Sequence, residues 1–560
     1  MHMSMEKIKL AAAWVLLAGA ASLLRFKTVL QSDSLFLDSL FTDLFTHGGR
    51  WADWKFIQAP AFLPDMLLYL LAYPLFPDAA SRIFFVSAAQ VPLLAAAVLW
   101  CARQIHPQLS RQAQTVLLLM LAFVTLVAAR SNMWLYFYST NNHLGATLFG
   151  LLGVGLLVRQ LARPSRRGAV LLVLLIAAAQ VSTRLFLLSF VLPLTALLAL
   201  ALVALPRGVD ALRRHRQQAW NLLGVVLASQ LLAAALVALL IRHSAGLGRR
   251  ASPDTVSNAL KLFLQATGAA FSPDNRWTQA LAVALLLAVL YLAVAALRAL
   301  ALAPDQRGWT LRWQRPDGAA GRAPDGTPGW RFGAAAALLS VALPLGVAGS
   351  VLSAGFVDLN AYRYFTFPLT LAVVLAVVLL DHRHGRRAAP WHAGAALLAG
   401  AVLAGGLPLA RQSAPPADPA KLVADCLNAV EAGGFRLHAG VGDYWNGSAV
   451  SYYLPRHNPV LVTLNDAVPL FWVSTLGPLL RPNDYPAHQH SNFALLRDAG
   501  AGGQFDYTPQ TIGKLLPAPS RVHACPAAQV QIWLYDGPQL DAAVAAMKAD
   551  FLAKRAARKR

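Results

Sequence analysis

Residues 61–77 read AFLPDMLLYLLAYPLFP, and the topology of the whole chain turns on whether this run crosses a bilayer. A helical span needs about 20 apolar residues to cover about 30 Å of hydrocarbon. The run is short of that and carries Pro64, Asp65, Pro74 and Pro77. Other apolar runs qualify near 8–30, 83–101, 115–130, 144–158, 169–182, 185–205, 220–241, 279–301, 333–354, 364–380 and 393–410. The excess of Lys and Arg in cytoplasmic loops decides between two readings. If 61–77 crosses, the loop with Arg159, Arg163, Arg166 and Arg167 falls outside, as does the loop with Arg207, Arg213, Arg214 and Arg216. If it lies along the outer interface, both loops fall inside, with the linker 302–332 and the Arg383, Arg386 and Arg387 loop. The second reading is adopted. It gives a cytoplasmic N-terminus, about eleven spans and an external C-terminal domain. The outer loop 242–278, with Arg242, Arg249 and Arg250, and the basic C-terminal tail fit it less well.

Composition agrees with lipid as the main solvent. The 560 residues are 57% hydrophobic and 13% charged, against about a quarter charged in a globular domain. Mean hydropathy is +0.50. The net charge of +22 would suggest nucleic acid in a soluble chain. Here many of the arginines sit in short loops as topology signals, so no nucleic-acid partner is expected. The three cysteines form no CxxC or Cys/His metal spacing. The first apolar run is long enough to stay as an anchor, so no cleaved signal peptide is expected. The outward segments are then 31–82, 131–143, 242–278, 355–363 and the region from 411 onward. Long, residue-diverse segments collect on that side, and function is expected there. The predicted division is 1–410 for the membrane domain and 411–560 for an external α/β domain with a basic helical tail.

The first outer loop begins QSDSLFLDSLFTDLFTHGGRWADWKFIQAP over residues 31–60. Leu37, Leu40, Phe41, Leu44 and Phe45 form one apolar stripe at helical spacing, and Gly48-Gly49 ends the helix. The spacing predicts an amphipathic helix on the membrane surface. At 100° per residue Asp33 aligns with the apolar stripe, while Asp38 and Asp43 fall on its flanks. A carboxylate on an apolar face is costly unless paired, capping or catalytic. The plain alternative is that Asp33 or Ser32 caps the helix.

In order, the loop carries Asp33, then Gly48-Gly49-Arg50-Trp51-Ala52-Asp53-Trp54, then Pro64-Asp65-Met66-Leu67-Leu68-Tyr69, then Arg82. This resembles the GT-C class of membrane glycosyltransferases, especially the aminoarabinose (lipid A) and protein mannosyltransferase branch. The resemblance is clearest over about residues 8–105 and continues beyond as topology. It departs from the family in three places. Ser34 follows Asp33 where an acidic pair is common. Leu63-Pro64-Asp65 replaces a Lys-Pro-Pro. The second outer loop reads Tyr138-Ser-Thr-Asn-Asn-His143 where an acid is often found.

What the resemblance implies is a glycosyltransferase in a bacterial inner membrane. It would move a sugar from a polyprenyl-phosphate donor to a glycan, lipid or protein acceptor at the outer face. A general base must meet the acceptor, and cations must hold the departing phosphate. Asp33, at the lipid–water boundary, is the candidate base. Arg184 and Arg363 are the candidate phosphate ligands, because a guanidinium offers bidentate hydrogen bonds. Arg363 sits in Asn-Ala-Tyr-Arg-Tyr-Phe-Thr-Phe-Pro beside Tyr362. An interfacial snorkelling arginine is the competing reading there, and a simple turn residue is the competing reading for Arg184. His143 and Asn142 border the fourth run and are candidates for phosphate, acceptor or metal contact, or for a structural role. Asp65 beside Pro64 is a further cavity candidate, whereas Asp38, Asp43 and Asp53 are expected to be solvated or capping. A divalent cation is compatible with such a site, but no ligand spacing selects one.

From about Ser413 the character becomes globular. Asp418-Pro419 opens a predicted helix running to Gly433-Gly434. Residues 435–441, 460–464 and 530–535 read as strands, and a helix is predicted after Asp541. Cys426 and Cys525 are available for a disulfide in an oxidising exterior. Tyr444 and Trp445 follow a predicted strand directly, as a possible sugar platform or as core. Two other functions compete with transfer. One is a transporter or flippase of lipid-linked glycans, which would favour inverted repeats and mid-membrane charges. The other is a non-catalytic glycan-binding membrane protein.

Overall fold

The structure is a computed structural model. It describes residues 4–27, 30, 32–56, 60–131, 138, 144–204, 210–244, 252–272, 275–301, 329–353, 355–356, 359–384, 388–412, 418–463, 468–471, 474–498 and 507–557. The membrane part contains α1 (Met5–Ser22), α2 (Ser32–Thr46), α3 (Leu67–Ala72), α4 (Ala79–Ile105), α5 (Arg111–Arg130), α6 (Leu144–Ala162) and α7 (Arg166–Ser182). It continues through α8 (Leu192–Ala204), α9 (Asp210–Leu240), α10 (Pro253–Ala270), α11 (Arg276–Ala301), α12 (Trp330–Leu352), α13 (Thr366–His384) and α14 (Ala388–Ala410).

Among the described residues, nine helices are long and apolar enough to cross a bilayer. The fifth and sixth predicted runs also fold as helices but are shorter. The fifth, α7, has 17 residues, and the sixth is an apolar helix over Leu187–Val203. The run that decided the topology forms only a short helix over Phe62–Ala72. Eleven residues at 1.5 Å rise reach about 16 Å, half the hydrocarbon thickness. Many apolar side chains on the helix bundle remain exposed, Val203 at 85% and Leu239 at 79% among them. In hydrocarbon such a surface carries no penalty, and the interior is instead built by close packing. One core runs through α1, α4, α5, α6 and α13.

The C-terminal domain holds α15 (Pro419–Ala432), α16 (Tyr444–Tyr453) and α17 (Gln539–Ala557) around a five-stranded sheet. Its strands are β3 (Ala439–Gly442), β4 (Val460–Val462), β6 (Ser491–Arg497), β7 (Arg521–Cys525) and β8 (Val530–Leu534), in the order β4-β3-β6-β8-β7. β3 runs parallel to β4 and β6, while β8 runs antiparallel to β6 and β7. Asp418 caps α15 by accepting from the Ala420 amide at 2.9 Å, as its sequence predicts. Cys426 and Cys525 are joined as a disulfide.

Three further short strands fasten this domain to the first loop. β1 (Trp54–Phe56) pairs parallel with β2 (His243–Ser244) and antiparallel with β5 (Ser474–Thr475). Segments some 420 residues apart, Trp54 and Thr475, thus share one ladder. A single apolar core also joins Leu35, Phe36 and Leu40 of α2 to Val423, Leu427 and Val430 of α15. The helix expected on the membrane surface thus also packs into the core of the C-terminal domain. Its apolar stripe is covered in part by the first loop itself, with Phe41 stacked on Tyr69 and beside Tyr73, and only Phe45 at its far end stays largely exposed.

Candidate active site

The site is assembled from helix ends on the side that bears the α/β domain. The first component is the irregular turn Phe62–Met66. Its backbone is held by the end of α7: the Ala61 amide donates to the Ser182 carbonyl at 2.9 Å, and the Leu63 amide donates to Ser182 Oγ at 3.1 Å. On its other flank stands the first turn of α6. A Cβ on Gly145 would lie 2.9 Å from the Leu63 carbonyl oxygen and 3.3 Å from Pro64 Cδ. Only a residue without a side chain permits that approach.

This clamping buries Asp65, which is 1% exposed. Gln90 of α4, itself fully buried, donates from Nε2 to Asp65 Oδ1 at 2.7 Å. The same turn of α6 leads to the second component. Thr147 Oγ1 and Thr366 Oγ1 lie 2.6 Å apart, and Thr366 Oγ1 donates to the Arg363 carbonyl at 3.1 Å. Arg363 sits in the helical turn Leu359–Phe365, half-buried, with its guanidinium 5.4 Å from the Tyr364 ring centroid. Beside it Tyr362 shares a 2.6 Å hydrogen bond with Thr267 of α10. Arg184 is exposed in the turn two residues after Ser182.

A continuous series of contacts therefore links Asp65, the turn that carries Arg184, the start of α6 and the Tyr362–Arg363 turn. Asn142 and His143 lie outside the described residues, immediately before α6. Asp33 is carried by α2. It is the second residue of α2, half-buried, in the first turn where the helix dipole favours a carboxylate. Close by in sequence, the Leu30 amide donates to Asp418 Oδ2 at 3.0 Å. Tyr444 and Trp445 follow β3 closely, as expected, and fall in the first turn of α16. Their side chains are outside the described residues.

The flanking acids of the first loop require a correction, because they are neither solvated nor capping. Asp38 and Asp43 are 2% and 4% exposed. Asp38 accepts from Tyr69 Oη at 2.6 Å and from Arg82 Nη1 at 2.7 Å. Burial, and then the Asp38 charge, push the Tyr69 hydroxyl well above its ordinary range, so it stays a donor. Asp43 accepts from Trp54 Nε1 at 2.7 Å and from Tyr485 Oη at 2.8 Å. Burial and the Asp43 carboxylate raise Tyr485 to about 12. Asp53 pairs with Arg481 at 2.9 Å. Three carboxylates of the first loop thus serve to anchor it, each with a partner in the C-terminal domain: Tyr452 for Asp38, Tyr485 for Asp43 and Arg481 for Asp53.

Sequence reasoning missed Gln90, Thr147 and Thr366. The first had a visible signal, since an amide inside an apolar span needs a partner. Cys426, His523 and Cys525 bring three ligand atoms within 4.8 Å of one another. With the two sulfurs joined to each other, the thiolates that a metal would need are not available there.

No family model and no curated protein matches the chain. Among solved structures, the oligosaccharyltransferase of Archaeoglobus fulgidus, crystallised as a complex with Zn and sulfate, is similar with 12% identity and a TM-score of 0.39. The match covers 84% of this chain and 63% of that one, so this chain spans less than two thirds of the length of that neighbour. At that distance the likeness carries no activity across.

Proposed function

We propose that the chain is a glycosyltransferase that takes a sugar from a polyprenyl-phosphate lipid and passes it to a glycan, lipid or protein acceptor at the outer face of the cytoplasmic membrane. The observation that carries this reading is the gathering of Asp65, Arg363, Tyr362 and the Arg184 turn at neighbouring helix ends. A buried carboxylate and a guanidinium at the edge of the bilayer suit a substrate that is lipid at one end and polar at the other.

In this reading Arg363 and Arg184 hold the phosphate as it departs, neutralising charge that grows in the transition state. Asp33 takes the proton from the attacking acceptor group, and attack opposite the phosphate inverts the anomeric carbon. Asp65, oriented by Gln90, contacts the sugar or a cation that accompanies the phosphate. For His143 and Asn142 the reading assigns contact with the acceptor or the phosphate, and for Tyr444 and Trp445 contact with a glycan. The docked domain keeps the first loop in place while substrates enter from the membrane and from water.

The test is sugar transfer in proteoliposomes from a panel of radiolabelled polyprenyl-phosphate sugars. Asp33→Asn is expected to lower transfer by roughly 100–10,000-fold, the usual worth of a general base, with an unchanged melting temperature. Full transfer by that variant removes Asp33 from the mechanism. Arg363→Lys keeps the charge but loses the bidentate fork, and is expected to fall between wild type and Arg363→Ala.

A further inference from the structure

A cavity lined by none of the residues of the cluster just described lies between the domain-side ends of α5, α11 and α14. Its volume is about 1040 Å³, at the upper limit of about 300–1,000 Å³ for small-ligand sites. Its polar residues collect at one end: Arg130, Asn275, Arg276 and Gln412. Met120, Phe123, Ala284, Leu397 and Ala401 line the rest. Met120 precedes Arg130 by ten residues on one helix, so the apolar part descends about 15 Å from the cationic end. The lining contains no carboxylate.

The cationic end is built rather than incidental. Arg130 Nε donates to the Gly405 carbonyl at 3.0 Å, and its guanidinium stands 5.3 Å from the Trp277 ring centroid. A Cβ on Gly405 would lie 2.7 Å from Trp277 Cη2 and 2.6 Å from Leu126 Cδ2, so its small size lets these three helices close around the arginine. Arg276 opens α11, whose N-terminal amides and dipole favour an anion. Asn275 Oδ1 accepts from the Thr278 amide at 3.1 Å, fixing that helix start.

We infer that this cavity binds an anionic glycerophospholipid, its phosphate between Arg130 and Arg276 and its acyl chains along α5, α11 and α14. The cavity matches an amphiphile of that shape, with two guanidinium groups at interfacial depth and hydrocarbon walls below. The bilayer supplies such a lipid in excess. This site is independent of the proposed transfer reaction and uses none of its residues.

The test measures melting of the full chain in detergent while phosphatidylglycerol, phosphatidylcholine, inorganic phosphate or a polyisoprenyl phosphate is added. Phosphatidylglycerol is expected to raise the melting temperature saturably, and phosphatidylcholine and phosphate are not. Replacing both arginines, Arg130→Gln with Arg276→Gln, should weaken the lipid effect by about tenfold or more. Ala401→Trp fills the cavity from its apolar end without touching either arginine, and should abolish the effect even if the arginine variant folds poorly. Equal stabilisation by phosphatidylcholine or by phosphate alone overturns the inference. So does stabilisation by the polyisoprenyl phosphate alone, or an undiminished lipid effect in Ala401→Trp.

Discussion

Asp38 shows how much of a side chain's role depends on what folds over it. On a helical wheel it stands at the flank of an apolar stripe, where water is expected. In the folded chain the C-terminal domain covers that flank, and Arg82 and Tyr69 supply the donors that water would have given. The wheel reads one helix at a time and has no information about a domain about 400 residues away. The same blindness hid Asp43, whose partner is Tyr485. Removing Arg82 leaves a buried carboxylate without its counter-charge, so Arg82→Ala is expected to cost about 3–5 kcal/mol. Asp38→Asn should cost less, because an amide oxygen still accepts from Tyr69. Thermal melts of the two variants in one detergent check the order, and an Asp38→Asn loss as large as that of Arg82→Ala contradicts it.

Helices were the most legible elements, because long apolar runs bounded by arginines carry their own signal. Every predicted run became helical, and the short, proline-bearing run 61–77 formed no helix long enough to cross. The strands were read less completely. β3, β4 and β8 were expected, whereas β6, β7 and α16 were not. β1, β2 and β5 are two or three residues long and owe their existence to one another, so no local pattern announces them. α6 displays a further element-level constraint: a Cβ on Gly153 would lie 2.7 Å from Phe190 Cζ, and Gly150 and Gly155 meet Phe367 and Trp100 in the same way. Small residues let neighbouring helices approach closely in lipid. Gly153→Leu is therefore expected to destabilise the bundle by about 1–3 kcal/mol through overpacking, read as a lower melting temperature and reduced yield of folded protein.

The membrane bundle and the C-terminal domain form one assembly held by the β1-β2-β5 ladder, the Asp53–Arg481 pair and a shared apolar core. Within the domain, the Cys426–Cys525 bridge closes a separation of 99 residues. Its removal in Cys426→Ser should cost about 2–5 kcal/mol, seen as a lower melting temperature that reductant no longer changes. Acid should loosen the assembly as well. Burial, with help from Lys548 and His47, lowers His488 to about 4. The unfolded chain takes up that proton near pH 6.5, before the folded chain does, so stability falls as pH drops from about 6.5 to 4. His488→Gln should flatten the melting profile in that window, and an unchanged profile contradicts the assignment.

The apolar helices and the first loop's order of residues were readable from the sequence, and the resemblance to membrane glycosyltransferases rested on them. The site's assembly was not, because Gly145, Thr147 and Ser182 act through contacts between helices. The proposed transfer is distinguished from movement of an intact lipid-linked glycan by the fate of the donor. Proteoliposomes containing the chain, a lipid-linked sugar labelled in both lipid and sugar, and an acceptor should release free polyprenyl phosphate in step with labelled acceptor. Lipid-linked sugar that reaches the opposite leaflet uncleaved, with no polyprenyl phosphate released, contradicts the account.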